Sequence, residues 1–90
     1  MFSLNDVEGL LSSWMMNKSQ TRSRVVLTIG VKSDLFGRVF LSNRESFTIA
    51  DEYQNSLHVS YREVKTISYL SDSDVTLVFN DQTEISLHRE

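Results

Sequence analysis

Residues 25–70 read VVLTIGVKSDLFGRVFLSNRESFTIADEYQNSLHVSYREVKTISYL. Apolar and polar side chains alternate through most of this stretch, which is the period of a half-buried β-strand. Short polar breaks divide it into five predicted strands, at residues 24–32, 35–42, 46–53, 57–62 and 64–70. Breaks this short favour antiparallel neighbours, because a parallel connection needs a crossover of about a dozen residues. The stretch therefore predicts an antiparallel meander.

The second predicted strand is apolar on both faces, so both faces need cover. Its two faces carry Leu35, Val39 and Leu41 on one side and Phe36 and Phe40 on the other. Gly37 lies inside the strand, where a glycine usually marks a sharp bend or a close approach of two backbones. We expect the sheet to bend into a small barrel that covers one face. The helix or another subunit would cover the other face.

A helix is predicted over residues 4–17. Ser3 is a suitable N-cap, Asp6 completes a weak form of the capping box, and Phe2 and Val7 can form a hydrophobic staple. Apolar side chains then recur at helical spacing, at Val7, Leu10, Leu11, Trp14 and Met15. We expect this stripe to pack in the core, and a face that binds a membrane or a partner is the alternative.

A β-hairpin is predicted at residues 75–88, with Asn80 and Asp81 in its turn. Its apolar side chains repeat with a period of two, at Val75, Leu77, Phe79, Ile85 and Leu87. The hairpin follows the five-strand meander, so we interpret it as an addition that could dock on a neighbouring copy or a second ring.

Composition indicates one domain, residues 1–90, with a core that is marginal without further support. No cysteine is present, so no disulfide supports the fold. Oligomerisation is the remaining common device, and we expect a cytoplasmic protein. The longest nearly apolar run, residues 25–31, is too short to cross a bilayer, and no membrane partner is expected.

Charge is unevenly distributed along the chain. Residues 1–50 hold six bases and four acids, a net charge of +2, whereas residues 51–90 hold three bases and eight acids, a net charge of −5. The total of −3 does not favour general nucleic-acid binding. The distribution permits one basic and one acidic face, and a mixed, solvated surface is the alternative.

The order of elements resembles the Sm-like superfamily, which includes the LSm proteins and bacterial Hfq. The similarity covers residues 4–70. It rests on the run at 25–32, on Leu35-Phe-Gly37-Arg-Val39 with Asn43 six residues after the glycine, and on the segment Val59–Val64. The sequence departs from the family at three positions: Asn43 replaces the usual aspartate, Phe47 replaces a base-contacting asparagine, and Glu63 stands where Hfq has a histidine.

This resemblance implies a mainly β fold: an N-terminal helix and a five-stranded, strongly bent antiparallel SH3-like barrel. The hairpin would be extra. It also implies a homo-oligomeric ring in which the fourth strand of one subunit pairs with the fifth strand of the next. We expect a closed ring of about five to seven copies, which uses up the free strand edges. A monomeric SH3-like module is a weaker alternative.

The resemblance further implies that two loops facing the ring's pore bind single-stranded RNA. The candidate residues are Asn43, Arg44, Tyr61 and Arg62. Tyr61 could stack on a base if its ring is exposed, Asn43 could read a base edge, and the two arginines could bind phosphate. Neighbouring Glu45 and Glu63 oppose this by neutralising the arginines. The alternative places Tyr61 in the core and Arg62 and Glu63 in interface ion pairs.

Catalysis is not expected. His58 and His88 are far apart, no His/Cys/Asp cluster has metal-ligand spacing, and no nucleophile motif is present. We expect no cofactor and no metal. Two functions remain open: a ring that binds single-stranded RNA, and a structural or protein-interaction ring without a nucleic-acid role.

Overall fold

A computed structural model describes residues 3–90 of the chain. The fold over these residues is mainly β, with one N-terminal helix and seven strands. The elements are α1 (Leu4–Met16), β1 (Thr21–Leu27), β2 (Gly30–Ser42), β3 (Ser46–Ala50), β4 (Ser56–Ser60), a single 3₁₀ turn (Tyr61–Glu63), β5 (Val64–Ser71), β6 (Asp74–Phe79) and β7 (Glu84–Arg89). The predicted helix and the mainly β class are confirmed.

The seven strands form one antiparallel sheet in the order β4-β3-β2-β1-β7-β6-β5. Strands that follow each other along the chain are neighbours in the sheet, with one exception. β4 and β5 are consecutive but lie at opposite edges, joined only by Tyr61–Glu63. Three residues span a short distance, so the end of β4 and the start of β5 must lie near each other. The sheet therefore curls on itself without closing.

The five-strand arrangement with an added hairpin needs correction. β7 pairs with β1 from Thr21 to Val26, so the hairpin is inserted between β5 and β1 as a central part of the sheet. The physical reason lies in its apolar faces. A two-stranded hairpin is at best marginally stable alone, and these residues gain most by joining the main core.

The boundary between the first two predicted strands was also wrong. The turn lies at residues 28–29 rather than 32–34, and β2 starts at Gly30, whose φ of 133° suits glycine. Ile29, which falls within the predicted first strand, is 92% exposed in this turn. Further along, β3 ends at Ala50 because Asp51 accepts hydrogen bonds from the backbone N of Tyr53 and Asn55 and starts a turn.

Gly37 marks the place where β2 passes from one neighbour to the next. Its cross-strand partner is Thr21 of β1, whereas the following residue, Arg38, pairs with Ala50 of β3. A Cβ atom at Gly37 would overlap the carbonyl of Ala50. The prediction of a bend or close approach at this glycine is confirmed.

The core lies between the curled sheet and α1. It contains Val7, Leu11, Trp14, Val25, Leu35, Val39, Phe47, Ile49, Val59, Tyr61, Val75, Leu77, Ile85 and Leu87. Trp14 also donates its indole N–H to the Asp72 carbonyl at 3.1 Å. At the other end of the helix, the Ser42 hydroxyl donates to the Glu8 carbonyl at 3.2 Å. α1 thus covers one opening of the sheet.

The start of α1 follows the predicted chemistry. The Ser3 hydroxyl accepts from the backbone N of Asp6, and the Asp6 carboxylate accepts from the backbone N of Ser3 at 2.7 Å. These hydrogen bonds lower the pKa of Asp6. The predicted staple involves Phe2, which lies outside the described residues. Within residues 3–90, no helix is long and apolar enough to span a membrane.

Candidate assembly edges and loop arginines

The structure brings the two predicted RNA loops together. Asn43–Glu45 connects β2 to β3, and Tyr61–Glu63 connects β4 to β5. The backbone N of Tyr61 donates to the Glu45 carbonyl at 2.9 Å, and Ser46 is the cross-strand partner of Ser60. Two segments that are far apart in sequence therefore form one continuous surface at this end of the sheet.

Asn43 has a structural role in its loop. Its side-chain Oδ1 accepts hydrogen bonds from the backbone N of Glu45 at 2.8 Å and of Ser46 at 2.9 Å. This arrangement is an Asx turn, and it fixes the path from β2 into β3. The carbonyl side of the amide is thus already used, and only its N–H₂ group is left to contact a ligand.

Arg44 and Arg62 are both exposed, and neither forms an ion pair within residues 3–90. Glu63 forms no ion pair with Arg62, and its carboxylate accepts instead from the Asn80 side chain at 2.9 Å. The expected opposition between each arginine and its neighbouring glutamate is therefore not observed as an ion pair. Both guanidinium groups are available to an anionic ligand.

Tyr61 is a core residue. Its side chain is 4% exposed, and its ring lies 5.6 Å from the ring of Phe47, centroid to centroid. Burial, with a contribution from the charge of Glu8, raises the pKa of the hydroxyl. Stacking on an RNA base would require an exposed ring, and the ring of Tyr61 is buried. The alternative interpretation, in which Tyr61 belongs to the core, therefore fits the structure. Leu57, Val59 and Tyr61 occupy alternate positions and therefore lie on the same face of the predicted strand. This apolar alternation was the sequence signal for burial of Tyr61.

The two edge strands are the second notable feature. β4 pairs only with β3, and β5 pairs only with β6, within the described part of the chain. β4 contains neither proline nor a lysine, arginine, aspartate or glutamate, and β5 contains Lys65 as its one charged residue. Leu70 on β5 is 77% exposed. Edge strands of monomeric proteins usually carry charged residues, prolines or bulges that prevent pairing. β4 therefore lacks two of these three protections.

The hairpin is not available for docking in the way the sequence suggested. Four of its five apolar side chains, Val75, Leu77, Ile85 and Leu87, are buried in the protomer's own core, and Phe79 packs against that core. A neighbour could reach them only if the sheet opened. The hairpin supports the fold instead of presenting an apolar surface.

An exposed aromatic surface was missed. Phe36, Phe40 and Tyr53 lie on the outer side of β2 and in the β3–β4 turn, along a groove of about 630 Å³. Phe40 is 75% exposed, and the Arg22 guanidinium lies 5.4 Å from the centre of the Phe36 ring. The helix does not cover this face of β2, contrary to one of the two expected arrangements.

The histidines serve as polar side chains on the outer surface. His58 Nδ1 lies 2.7 Å from the Thr48 hydroxyl, and His88 Nδ1 lies 2.6 Å from Asp74 Oδ1. No group of three or more His, Cys, Asp or Glu residues among residues 3–90 could hold a metal ion. No protein-family model, curated protein or solved structure matches the chain.

Proposed function

We propose that this chain is a self-assembling ring protein of the Sm-like type, in which β4 of one copy pairs with β5 of the next. The observation that carries the proposal is the identity of the two sheet edges. β4 and β5 end the sheet on opposite sides, and each offers a row of backbone N–H and C=O groups. Head-to-tail pairing of two different edges repeats by rotation and closes into a ring.

The composition of the edges supports pairing between copies. β4 lacks the charged residues and prolines that protect free edges, and Leu70 exposes a large apolar side chain on β5. A chain of 90 residues also has a small core, so added burial at an interface would stabilise it considerably.

Engineered cysteines test which edges meet, because the natural chain contains none. One variant carries His58→Cys on β4, and a matched set carries Thr66→Cys, Ser68→Cys or Leu70→Cys on β5, all at exposed positions. We expect a disulfide dimer only when the β4 variant is mixed with one of the β5 variants. A disulfide in the β4 variant alone would indicate a symmetric dimer and contradict the ring.

A charged side chain on the edge gives an independent test. Leu70→Lys should lower the assembly mass measured by light scattering or native mass spectrometry, because lysine on an edge opposes strand pairing. Ile29→Lys is the matched control, since Ile29 is exposed in the β1–β2 turn, away from both edges. A wild-type protein that remains monomeric at high concentration would refute the proposal.

Single-stranded RNA binding by the ring is a second candidate, and the exposed, unpaired Arg44 and Arg62 favour it. In a ring, each weak arginine contact would be repeated by symmetry, which strengthens binding without new contacts. The burial of Tyr61 leaves electrostatic contact with phosphates as the main source of affinity. Without such binding, the protein would be a structural or protein-interaction ring.

Filter binding with U-rich and A-rich oligonucleotides separates these two functions. We expect binding that weakens steeply with salt and that is reduced in Arg44→Ala and Arg62→Ala. Lys18→Ala is a matched loss of one exposed charge outside the loops and both edge strands. Absence of binding at low salt would exclude the RNA role and leave the assembly proposal unaffected.

A further inference from the structure

The sheet contains an apolar pocket of about 290 Å³ that no residue of α1 lines. Its apolar wall consists of Val25, Leu57, Val59, Phe79 and Ile85. These residues come from β1, β4, the end of β6 and the start of β7. The helix therefore does not cover this part of the core.

Three residues of this wall belong to the core and keep some exposed surface. Val25, Val59 and Ile85 are 7%, 5% and 6% exposed, whereas Leu11, Phe47 and Leu77 have no exposed surface. Solvent therefore reaches core side chains at the pocket. A pocket near the lower limit of the usual ligand-site range, about 300 to 1,000 Å³, suits a small molecule, and mouths of β-barrels are frequent ligand sites.

Lys32 gives this pocket a charge. Val25 pairs with Ser33 while Val26 pairs with Val31, so Lys32 is the extra residue of a β-bulge. Bulges redirect side chains and are common at barrel rims and beside binding sites. Lys32 lines the pocket, and its side chain forms no hydrogen bond or ion pair with any residue from 3 to 90.

Two other polar groups at the rim, Asp81 and His58, already have partners. Asp81 accepts from the backbone N of Thr83 at 2.9 Å, and hydrogen bonds from Thr83 lower the pKa of this carboxyl group. His58 is hydrogen-bonded to Thr48. The unpaired ammonium group of Lys32 beside an apolar wall is complementary to one class of ligand, an apolar chain that ends in an anionic group.

We propose that this pocket binds a small amphiphilic carboxylate, such as a medium-chain fatty acid, with the chain against the apolar wall and the carboxylate on Lys32. Neither Arg44 nor Arg62 lines the pocket, and the proposal does not depend on RNA binding. Residues 57–60 of the lining belong to β4, so the pocket adjoins the edge that we propose pairs in the ring.

Methyl NMR of the protein in its native assembly state tests the site, with sodium octanoate below its micelle-forming concentration as the probe. We expect octanoate to shift the methyl signals of Val25, Leu57, Val59 and Ile85. Octan-1-ol, which lacks the charge, should shift the same signals at higher concentration. Absence of shifts, or shifts confined to methyl groups of the other groove, such as those of Val39 and Ala50, would overturn the proposal.

Charge variants test the role of Lys32. Lys32→Met should weaken octanoate binding roughly tenfold and leave octan-1-ol binding unchanged, since a hydrogen bond to a charged group is lost. Lys18→Met removes a similar exposed charge after α1, outside the pocket and both edge strands, and should change neither. Asp81→Asn should strengthen octanoate binding, because it removes a negative charge from the rim while keeping the oxygen that holds the turn. Equal octanoate affinity in the wild type and Lys32→Met would contradict the proposed head-group contact.

Discussion

Replacing Gly37 with alanine should destabilise the fold strongly, because two backbones approach each other there. The added Cβ atom would overlap the carbonyl oxygen of Ala50 and lie 2.6 Å from the Ala50 carbonyl carbon and 3.0 Å from the Asp51 nitrogen. All three are backbone atoms held by the β2–β3 pairing, so no rotamer change relieves the overlap. β2 and β3 must separate at the point where β2 changes its sheet partner.

The expected cost is about 3 kcal/mol or more, at the upper end of the range for overpacked substitutions. Domains of this size have a free energy of unfolding of roughly 5–13 kcal/mol, so the loss is a large fraction of the total. A cost of 3 kcal/mol corresponds to a melting temperature lower by about 12–24 °C. Trp14, the single tryptophan, is 1% exposed in the fold and provides a fluorescence signal for unfolding.

Gly9→Ala is the matched control. Gly9 lies on the exposed side of α1, and no atom lies within 4 Å of its added Cβ. Alanine is a better helix former than glycine, so this variant should be more stable by about 0.5–1 kcal/mol. Both variants are compared at one protein concentration, because assembly would make the melting temperature concentration-dependent. A Gly37→Ala protein that melts within a degree or two of the wild type would refute the close approach.

Tyr61→Phe should be neutral or stabilising by about 1 kcal/mol in urea denaturation, because the buried Tyr61 hydroxyl has no hydrogen-bond partner within residues 3–90; a clear loss of stability would show that the hydroxyl is satisfied. Ser3→Ala should cost about 1 kcal/mol through loss of the N-cap, and a Ser3→Asp variant should restore most of it. The Asp74 carboxylate, followed by Glu90, raises the pKa of His88, so protonated His88 stabilises the folded state. This stabilisation is complete below the unfolded pKa of about 6.5 and is lost as pH rises through the higher folded pKa. The stability difference between wild type and His88→Gln should therefore shrink as pH rises from about 6.5 through the folded pKa, and a difference that grows as pH rises would contradict the ion pair.

The features that depend on neighbouring residues were predictable from the sequence. Ser3 and Asp6 lie within one helical turn, so their capping hydrogen bonds follow from local spacing. Gly37 stands out as a glycine inside a strongly apolar strand, and its role follows from having no side chain. The strands themselves were recognisable from alternation, although the β1–β2 turn was misplaced because residues 29 and 31 continue the apolar pattern across Gly30.

The features that depend on distant residues were not predictable in the same way. The period-two pattern of the hairpin is compatible with packing against any sheet, and nothing local specifies that β7 pairs with β1. The exposure of Phe36 and Phe40 likewise depends on which face of β2 the helix covers. The proximity of the two candidate loops was predictable as a consequence of the meander. The burial of Tyr61 depended on which face of β4 points into the core.

The inserted hairpin changes the sheet without changing its edges. In the arrangement expected from the Sm-like resemblance, the fourth strand of one subunit pairs with the fifth strand of the next. Strands β6 and β7 lie between β5 and β1, and they leave β4 and β5 at the two ends of the sheet. A ring built by edge pairing is therefore compatible with seven strands as well as five. Docking through the hairpin is not compatible with this fold, because most apolar side chains of the hairpin are buried in the core. Deletion of residues 71–90 would therefore remove part of the core. Substitutions on β4 and β5 are the informative tests of assembly.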